Sequence, residues 1–143
     1  MNSPTTESKS KPKLLFVCVE NANRSQMAQA FATMLGRGAV EAFSAGSRPS
    51  GQVNPRAIQF MAELGYDLAT HDSKSLDEFN GQPIDVAVTM GCGDACPAVK
   101  TQRREEWNIP DPKHLSDEEF RAVRDLIRDK VQTLIDSLAT PSA

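Results

Sequence analysis

Residues 14–35 read LLFVCVENANRSQMAQAFATML, and this stretch contains the pattern that decides the fold. An apolar run of the kind found in buried parallel strands leads to Cys18, five residues follow, and Arg24 opens a segment with helical spacing of apolar residues. A strand–loop–helix turn exposes backbone N–H groups at the N-terminus of the helix, which forms a ready-made anion site. The stretch therefore predicts a thiol beneath a bound oxyanion.

The anion loop (residues 19–24) is expected to wrap a tetrahedral oxyanion with its backbone N–H groups. The residues predicted to bind the substrate are Val19, Glu20, Asn21, Ala22, Asn23 and Arg24. Arg24 adds a planar fork that can bind two oxygens at once. The helix dipole, Arg24 and a hydrogen bond from Ser25 all favour the thiolate form of Cys18. Asn21 belongs to a residue type that tolerates a left-handed backbone. A buried, inert cysteine is the alternative interpretation.

Strands and helices alternate along the rest of the chain. We predict strands at residues 13–19, 39–44, 84–90 and 106–109, the last at a sheet edge, and helices at 25–35, 55–64, 76–79 and from Ser116 onward. This alternation predicts an α/β fold of three layers, α/β/α, with a four-stranded parallel sheet. Residues 1–12 are predicted to form a flexible tail, and residues 13–139 a single domain.

Chemically active residues follow three of the predicted strands. Active residues in parallel sheets lie at the carboxyl ends of the strands, so we expect Cys18, the pair Cys92 and Cys96, and Asp111 at one edge. Asp111 precedes a proline and is either a turn former or a general acid, and its place after a strand favours the acid. A zinc site at Cys92 and Cys96 is disfavoured by their three-residue spacing, so we expect no bound metal.

Composition excludes several classes of function. The chain has 143 residues and a net charge of −3, which is no electrostatic reason to bind nucleic acid or an anionic membrane. No apolar run approaches the roughly 20 residues that span a bilayer, and residues 1–13 lack the apolar core of a secretory signal. Three cysteines, an odd number, argue against a disulfide framework. We expect a cytoplasmic monomer with reduced thiols, and His71 and His114 at the surface.

Several segments together resemble the low-molecular-weight protein tyrosine phosphatase superfamily. They are Cys18 to Ala28, Phe43-Ser-Ala-Gly46 and Asp111-Pro112, while Arg24-Ser-Gln-Met-Ala28 and residues 88–97 (VTMGCGDACP) are similar to its arsenate reductase branch. The resemblance implies that Cys18 is the nucleophile, that Arg24 binds the oxyanion and that Asp111 is the acid.

Two features favour the reductase branch. Phosphatases of the family usually carry aromatic residues after the Asp-Pro pair, whereas Lys113-His114 stand here, and the whole chain has one Tyr and one Trp. Two further cysteines can supply the two electrons that reduce As(V) to As(III). The resemblance implies that Cys92 attacks the arseno-adduct of Cys18, and that Cys96 then moves the disulfide to Cys92–Cys96. Thioredoxin would reduce this disulfide with electrons from NADPH, so no bound cofactor is expected.

Other interpretations stay open at this point. Cys92 and Cys96 are inert loop thiols if mycothiol, or glutathione with glutaredoxin, completes the reduction instead. A phosphatase acting on small phosphoesters and a non-catalytic oxyanion sensor are two further classes. Some family members bind potassium near the anion loop through acidic side chains. At the matching positions this chain has Gln29 and Lys74, so we expect no potassium requirement.

Overall fold

The structure is a computed structural model of the chain, and it describes residues 11–79, 81–90 and 101–139. One parallel sheet contains β1 (Lys13–Cys18), β2 (Glu41–Gly46), β3 (Ile84–Thr89) and β4 (Thr101–Glu106). The α-helices of the described residues are α1 (Arg24–Gly36), α2 (Pro55–Ala62) and α3 (Asp117–Ala139), and 3-10 helices occupy Leu68–Thr70 and Leu76–Phe79. The strand order is β2-β1-β3-β4, which confirms the predicted α/β fold with a four-stranded parallel sheet.

Strand β1 organises the core because its side chains alternate between the two faces of the sheet. Leu14 and Phe16 are fully buried in a cluster that also includes side chains of all three α-helices. Leu15 and Val17 belong to a second cluster, which also contains Leu76 and Phe79 of the 3-10 helix at Leu76–Phe79. A central strand that is apolar on both faces explains why this stretch of sequence could be recognised without the structure.

Both predicted helix N-caps are confirmed. Asn54 precedes Pro55 at the start of α2, and its side-chain oxygen accepts a hydrogen bond from the backbone N–H of Arg56 at 2.8 Å. At the start of α3 the backbone N–H of Ser116 donates to Glu119, and the backbone N–H of Glu119 donates back to the Ser116 hydroxyl. This reciprocal pair is a capping box, so the boundaries of α2 and α3 follow from local chemistry.

The fourth strand differs from its prediction. The sequence predicts an edge strand at residues 106–109, but β4 spans Thr101–Glu106. Its sequence, TQRREE, has no apolar alternation, because an edge strand that pairs only with β3 can keep charged side chains in water. Trp107 and Ile109 lie in the loop after β4, and their side chains are buried in the core. The backbone N–H of Trp107 donates to the carbonyl of Thr89 at 2.9 Å.

The strand register brings the carboxyl ends of the strands to one edge of the sheet. Cys18 lies opposite Gly46, Val17 lies opposite Thr89, and Thr89 lies opposite Glu106. Loops that leave these ends therefore meet above the same edge, where parallel sheets place their active residues. In the part of the chain that the structure describes, no helix has the length and apolar character needed to cross a membrane.

Candidate active site

A cavity of about 290 Å³ opens at the carboxyl edge of the sheet. Its lining residues are Cys18, Val19, Glu20, Ala22, Asn23, Arg24 and Asp111. The anion loop begins directly after β1 and ends at the first residue of α1, so strand and helix hold it from both sides. The structure thus brings together Cys18, Arg24 and Asp111, which the sequence predicted to meet at this edge.

Cys18 lies at the base of this cavity, and only 2% of its surface is exposed. The Ser25 hydroxyl oxygen lies 2.9 Å from the Cys18 sulfur and accepts a hydrogen bond from the side-chain amide of Asn21 at 2.8 Å. Since Asn21 supplies the donor to this oxygen, the Ser25 O–H is available to donate to the sulfur. A hydrogen bond in that direction stabilises the thiolate, which is the nucleophilic form of cysteine.

The backbone of the anion loop is held in a left-handed turn. Asn21 has a φ of 51°, the conformation that its residue type was predicted to tolerate, and its side-chain oxygen accepts a hydrogen bond from the backbone N–H of Lys74 at 2.7 Å. Gly46, at the end of β2, packs directly against the loop. A Cβ at Gly46 would lie 2.6 Å from the carbonyl oxygen of Val19 and 3.0 Å from the backbone nitrogen of Asn21.

Arg24 and Asp111 both line the cavity, and they differ in how far their side chains are exposed. One guanidinium nitrogen of Arg24 donates to the carbonyl of Ile109 at 3.0 Å, and another lies 3.9 Å from the Asp111 carboxylate. The Arg24 side chain is 11% exposed, whereas that of Asp111 is 54% exposed. Arg24 is therefore a fixed charge in the wall. Asp111, whose carboxylate also accepts a hydrogen bond from the Lys113 N–H at 3.1 Å, borders the opening.

An ion pair joins the two loops at the mouth of the cavity. The Lys113 ammonium lies 3.3 and 3.5 Å from the carboxylate oxygens of Glu20. Glu20 belongs to the anion loop, and Lys113 follows the loop that carries Asp111. A carboxylate beside an anion site opposes anion binding, and the neighbouring ammonium offsets this repulsion. The sequence does not reveal this pair, because its members are 93 residues apart and no local pattern links them.

His71 was predicted at the surface, and this prediction is wrong. Its imidazole is half-buried between Gln26 and Tyr66: Nδ1 lies 2.9 Å from the side-chain oxygen of Gln26, and Nε2 lies 2.6 Å from the Tyr66 hydroxyl. Burial lowers the pKa of His71, and the positive charge of Lys74 adds to this effect. The ring is therefore neutral near pH 7, and it donates from Nδ1 to the Gln26 oxygen. His114 is exposed, as predicted.

Gln26 links this histidine to the anion loop. Its side-chain nitrogen donates to the backbone and side-chain oxygens of Asn21, both at 3.0 Å, and to the carbonyl of Asp72 at 2.9 Å. Gln26 is completely buried, so water does not compete for these hydrogen bonds. The left-handed turn at Asn21 is thus fixed by a buried network that reaches His71. The sequence signal for this network was Gln26, a polar residue at a helix position that faces the core.

Gln29 and Lys74, which stand where some family members carry acidic potassium ligands, have a neutral and a basic side chain. The Gln29 oxygen accepts a hydrogen bond from the Ser44 hydroxyl at 2.6 Å, and the Lys74 ammonium donates to the carbonyl of Asp72 at 3.2 Å. Within residues 11–79, 81–90 and 101–139, no group of three or more His, Cys, Asp or Glu side chains is arranged to hold a metal ion. Cys92 and Cys96 lie outside the described residues.

The known proteins that this chain resembles belong to one family. The family model of the low molecular weight phosphotyrosine protein phosphatase matches residues 13–142. A glutaredoxin arsenate reductase of Synechocystis sp. is 39% identical over 126 residues, which cover 86% of this chain and 95% of that protein. A solved structure of an arsenate reductase in the phosphate binding state has a TM-score of 0.80 and 35% identity, covering 90% of this chain and 99% of that one. The thioredoxin-dependent arsenate reductase of Corynebacterium glutamicum has a TM-score of 0.76 and 30% identity, covering 91% of this chain and 63% of that one.

These matches identify the class of protein that the sheet and the anion loop define. The chain belongs to the low-molecular-weight phosphotyrosine protein phosphatase family. Within that family, the three relatives just described are arsenate reductases. The resemblance drawn from Cys18 to Ala28 and from residues 88–97 is therefore confirmed at the level of the family and its arsenate reductase relatives.

Proposed function

We propose that this protein reduces arsenate to arsenite in arsenic detoxification, with Cys18 as the nucleophile. The observation that carries the proposal is the sulfur of Cys18 at the base of the anion cavity, 2.9 Å from the Ser25 hydroxyl, with Arg24 in the wall. The names of its relatives support arsenate as the substrate. The small cavity suits an inorganic oxyanion, because its described lining residues include no aromatic side chain to contact an aromatic substrate, and Lys113 is paired with Glu20 of the lining.

In the first step the Cys18 thiolate attacks the arsenic atom of arsenate. A sulfur–arsenic bond forms, and one arsenic–oxygen bond breaks. Asp111 borders the cavity and donates a proton to a hydroxyl group of arsenate, which departs as water. Arg24 and the N–H groups of the anion loop bind the remaining oxygens and stabilise their negative charge. Arsenic is still As(V) at this stage, because no electron pair has yet been returned to it.

The second step is the reduction. The Cys92 thiolate attacks the Cys18 sulfur, the sulfur–arsenic bond breaks, and its electron pair leaves with arsenic as As(III). Arsenite departs, and a Cys18–Cys92 disulfide remains. Cys96 then attacks Cys92, which releases the Cys18 thiolate and forms a Cys92–Cys96 disulfide. The position of Met90 supports an attack from the segment that follows it, since the N–H of Met90 donates to the carbonyl of Val17 at 2.8 Å, next to Cys18.

We propose thioredoxin as the reductant of the final disulfide. A dithiol protein can reduce a Cys92–Cys96 disulfide by simple thiol exchange, and the similar Corynebacterium glutamicum enzyme is thioredoxin-dependent. Glutaredoxin is the second candidate, because the Synechocystis relative, at 39% identity, is a glutaredoxin arsenate reductase. In that case glutathione attacks the adduct of Cys18, and neither Cys92 nor Cys96 is needed for turnover.

The proposal is tested by following NADPH oxidation in the presence of arsenate. One reaction contains thioredoxin and thioredoxin reductase, and the other contains glutathione, glutaredoxin and glutathione reductase. We expect multiple turnover with thioredoxin, none with Cys18→Ser, and at most a single turnover with Cys92→Ser or Cys96→Ser. Full multiple-turnover activity of Cys96→Ser would refute the relay, and turnover confined to the glutathione reaction would transfer the coupling to glutaredoxin.

A phosphatase acting on small phosphoesters is the competing function, and the family match favours keeping it in the test. The same nucleophile, arginine and acid can cleave a phosphate ester through a phosphocysteine at Cys18. The wild-type protein should therefore be assayed with p-nitrophenyl phosphate at the same enzyme concentration. If kcat/KM for the ester exceeds kcat/KM for arsenate, the phosphatase is the better assignment.

A further inference from the structure

The loop that carries Asp111 (residues 107–116, the Asp111 loop) fixes the direction of that carboxylate through the backbone of Lys113. Pro112 has no N–H to donate, so the next backbone donor after Asp111 is the N–H of Lys113, which donates to the Asp111 carboxylate at 3.1 Å. The Asp111 side chain is 54% exposed, so packing alone does not fix its direction. The position of the carboxylate therefore depends on how the backbone at Lys113 is held.

An arginine of α2 holds the other polar backbone group of Lys113. One guanidinium nitrogen of Arg56, which lies 57 residues earlier in the chain, donates to the carbonyl of Lys113 at 3.3 Å. A second nitrogen of the same group donates to the carboxylate of Asp117, in the first turn of α3, at 3.0 Å. The N–H of Lys113 holds Asp111 and its carbonyl is held by Arg56, so two hydrogen bonds connect α2 to Asp111.

The guanidinium of Arg56 is itself held in place by two aromatic rings. It lies 4.8 Å from the ring centroid of Phe120 and 5.8 Å from that of Phe60, and both rings are completely buried. A planar cation on aromatic faces is attracted by the rings and loses little freedom when it forms hydrogen bonds. The ion pair with Asp117 fixes the guanidinium from a second side. Arg56 is therefore a rigid donor to the Asp111 loop.

Arg121 provides the comparison that separates two possible roles of Arg56. Its guanidinium lies 4.9 Å from the ring centroid of Phe60 and 2.8 Å from the carboxylate of Glu63, so it also joins a buried ring to a carboxylate. Its hydrogen bonds in the described part of the chain go to Glu63, whereas Arg56 also reaches the Asp111 loop. If Arg56 only stabilised the packing of α2 against α3, the two arginines would be equivalent.

We propose that Arg56 is a positioning residue for Asp111. By holding the carbonyl of Lys113, it keeps the N–H of Lys113 directed at the Asp111 carboxylate, and so keeps that carboxylate in place to protonate the hydroxyl group of arsenate that leaves as water. Arg56 does not line the cavity, so it acts on proton delivery and not on binding of the oxyanion. The inference rests on the proposed function for the role of Asp111 as the acid, but the hold of Arg56 on the Asp111 loop can be measured without turnover.

The test compares Arg56→Met with the matched control Arg121→Met, because methionine keeps an unbranched apolar stem over the rings and removes the hydrogen-bond donors. We expect Arg56→Met to lower kcat/KM for arsenate by roughly five- to thirtyfold, the effect of losing one hydrogen bond that positions a reacting group. The affinity for inorganic phosphate, measured by calorimetry on the full reduced chain, should change by less than about twofold, because Arg24 and the anion loop bind the oxyanion. Arg121→Met should lower the melting temperature and leave both quantities unchanged.

A double-mutant cycle with Asp111→Asn separates positioning from a general loss of stability. Asp111→Asn removes the acid, so a residue that acts only through Asp111 has nothing left to position. Adding Arg56→Met to Asp111→Asn should therefore lower kcat/KM by less than about twofold further, whereas independent effects multiply. A multiplied loss overturns the inference. A thermal melt establishes that each variant is folded, and Arg56→Lys, which keeps the charge near Asp117, replaces Arg56→Met if that variant is not.

Amide hydrogen exchange at Lys113 tests the contact without turnover. The N–H of Lys113 donates to Asp111, so its exchange, measured by NMR, should become several times faster in Arg56→Met and stay unchanged in Arg121→Met. If the exchange rate and kcat/KM of Arg56→Met both equal those of the wild type, the inference is wrong and the proposed function is unaffected. If the exchange responds to Arg56→Met but the wild type does not reduce arsenate, the proposed function fails and the hold of Arg56 on the Asp111 loop stands.

Discussion

Replacing Gly46 with alanine tests whether β2 supports the anion loop. The added Cβ would lie 2.6 Å from the carbonyl oxygen of Val19, whereas ordinary carbon–oxygen contacts are about 3.3–3.6 Å. The carbonyl must therefore move by roughly 0.7 Å or more. Both neighbours are rigid, since Gly46 pairs with Cys18 in the sheet and the Val19 carbonyl accepts a hydrogen bond from the Arg48 N–H at 2.8 Å.

Overpacking of this kind costs about 1–3 kcal/mol of folding free energy. It should also displace the loop that binds the oxyanion, and a misplacement on the order of 1 Å can lower kcat/KM by roughly a hundredfold. We therefore expect Gly46→Ala to lower the free energy of unfolding in urea by about 1–3 kcal/mol. We also expect it to lower kcat/KM for arsenate by roughly ten- to a hundredfold in the NADPH-coupled assay.

Gly36→Ala is the matched control, because the steric conflict there lies away from the site. Its Cβ would lie 2.7 Å from a methyl group of Val40 and 3.6 Å from a methyl group of Ile135. It should lower stability by less than Gly46→Ala, since alanine favours a helix over glycine by about 1 kcal/mol, and kcat/KM should not change. If Gly46→Ala is destabilised but keeps the wild-type kcat/KM, the idea that β2 positions the anion loop is refuted.

Three further predictions concern the nucleophile, the surface and the cation. Ser25→Ala removes the hydroxyl that lies 2.9 Å from the Cys18 sulfur, and if Cys18 acts as proposed it should lower kcat/KM for arsenate by roughly tenfold or more. Glu63 is hydrogen-bonded by Arg121 and Arg124, which lower its pKa from 4.5 to about 2, so its stabilising contribution is complete above pH 4.5 and is lost as the pH falls towards 2. Glu63→Gln should flatten the dependence of the melting temperature on pH in that window. Gln29 and Lys74 stand where some family members carry acidic potassium ligands, so replacing NaCl with KCl at equal ionic strength should change neither activity nor melting temperature.

Each of these three has a result that contradicts it. The hydroxyl of the exposed Ser50 makes hydrogen bonds only with the backbone of Gln52, so a loss in Ser50→Ala equal to that in Ser25→Ala would point to a general effect of the substitution. A wild-type melting temperature that does not fall between pH 4.5 and pH 2 would show that Glu63 and its two arginines do not contribute. A marked rise in activity with potassium but not with sodium would refute the expectation based on Gln29 and Lys74.

Much of the fold could be predicted because its signals are local. The apolar run before Cys18, the Asn54-Pro55 start of α2 and the capping box of α3 each depend on residues a few positions apart. Strand β4 could not be predicted in the same way. Its residues are polar and charged, and it is a strand because β3 offers a free edge of hydrogen-bonding groups, which is a property of the assembled sheet.

The candidate site likewise has a part that could be predicted from the sequence and a part that could not. The meeting of Cys18, Arg24 and Asp111 at one cavity was predictable, since each of them follows the end of a predicted strand. The partners that fix the loop were not. His71, which was expected in water, is half-buried against Gln26, and Gly46 touches the backbone of Val19. These contacts join segments that are far apart in the chain, so no local pattern records them.

The sequence by itself therefore determined the chemistry: a cysteine at the end of a buried strand, followed by a loop of N–H donors and an arginine. Only the tertiary structure decided the geometry around that chemistry. It established that the Ser25 O–H is available to the sulfur because Asn21 donates to the Ser25 oxygen, and that the side-chain oxygen of Asn23 is left without a partner among the described residues. The reason is physical: residue types carry their own donors, acceptors and charges, but the groups that satisfy them are chosen by packing between distant parts of the chain.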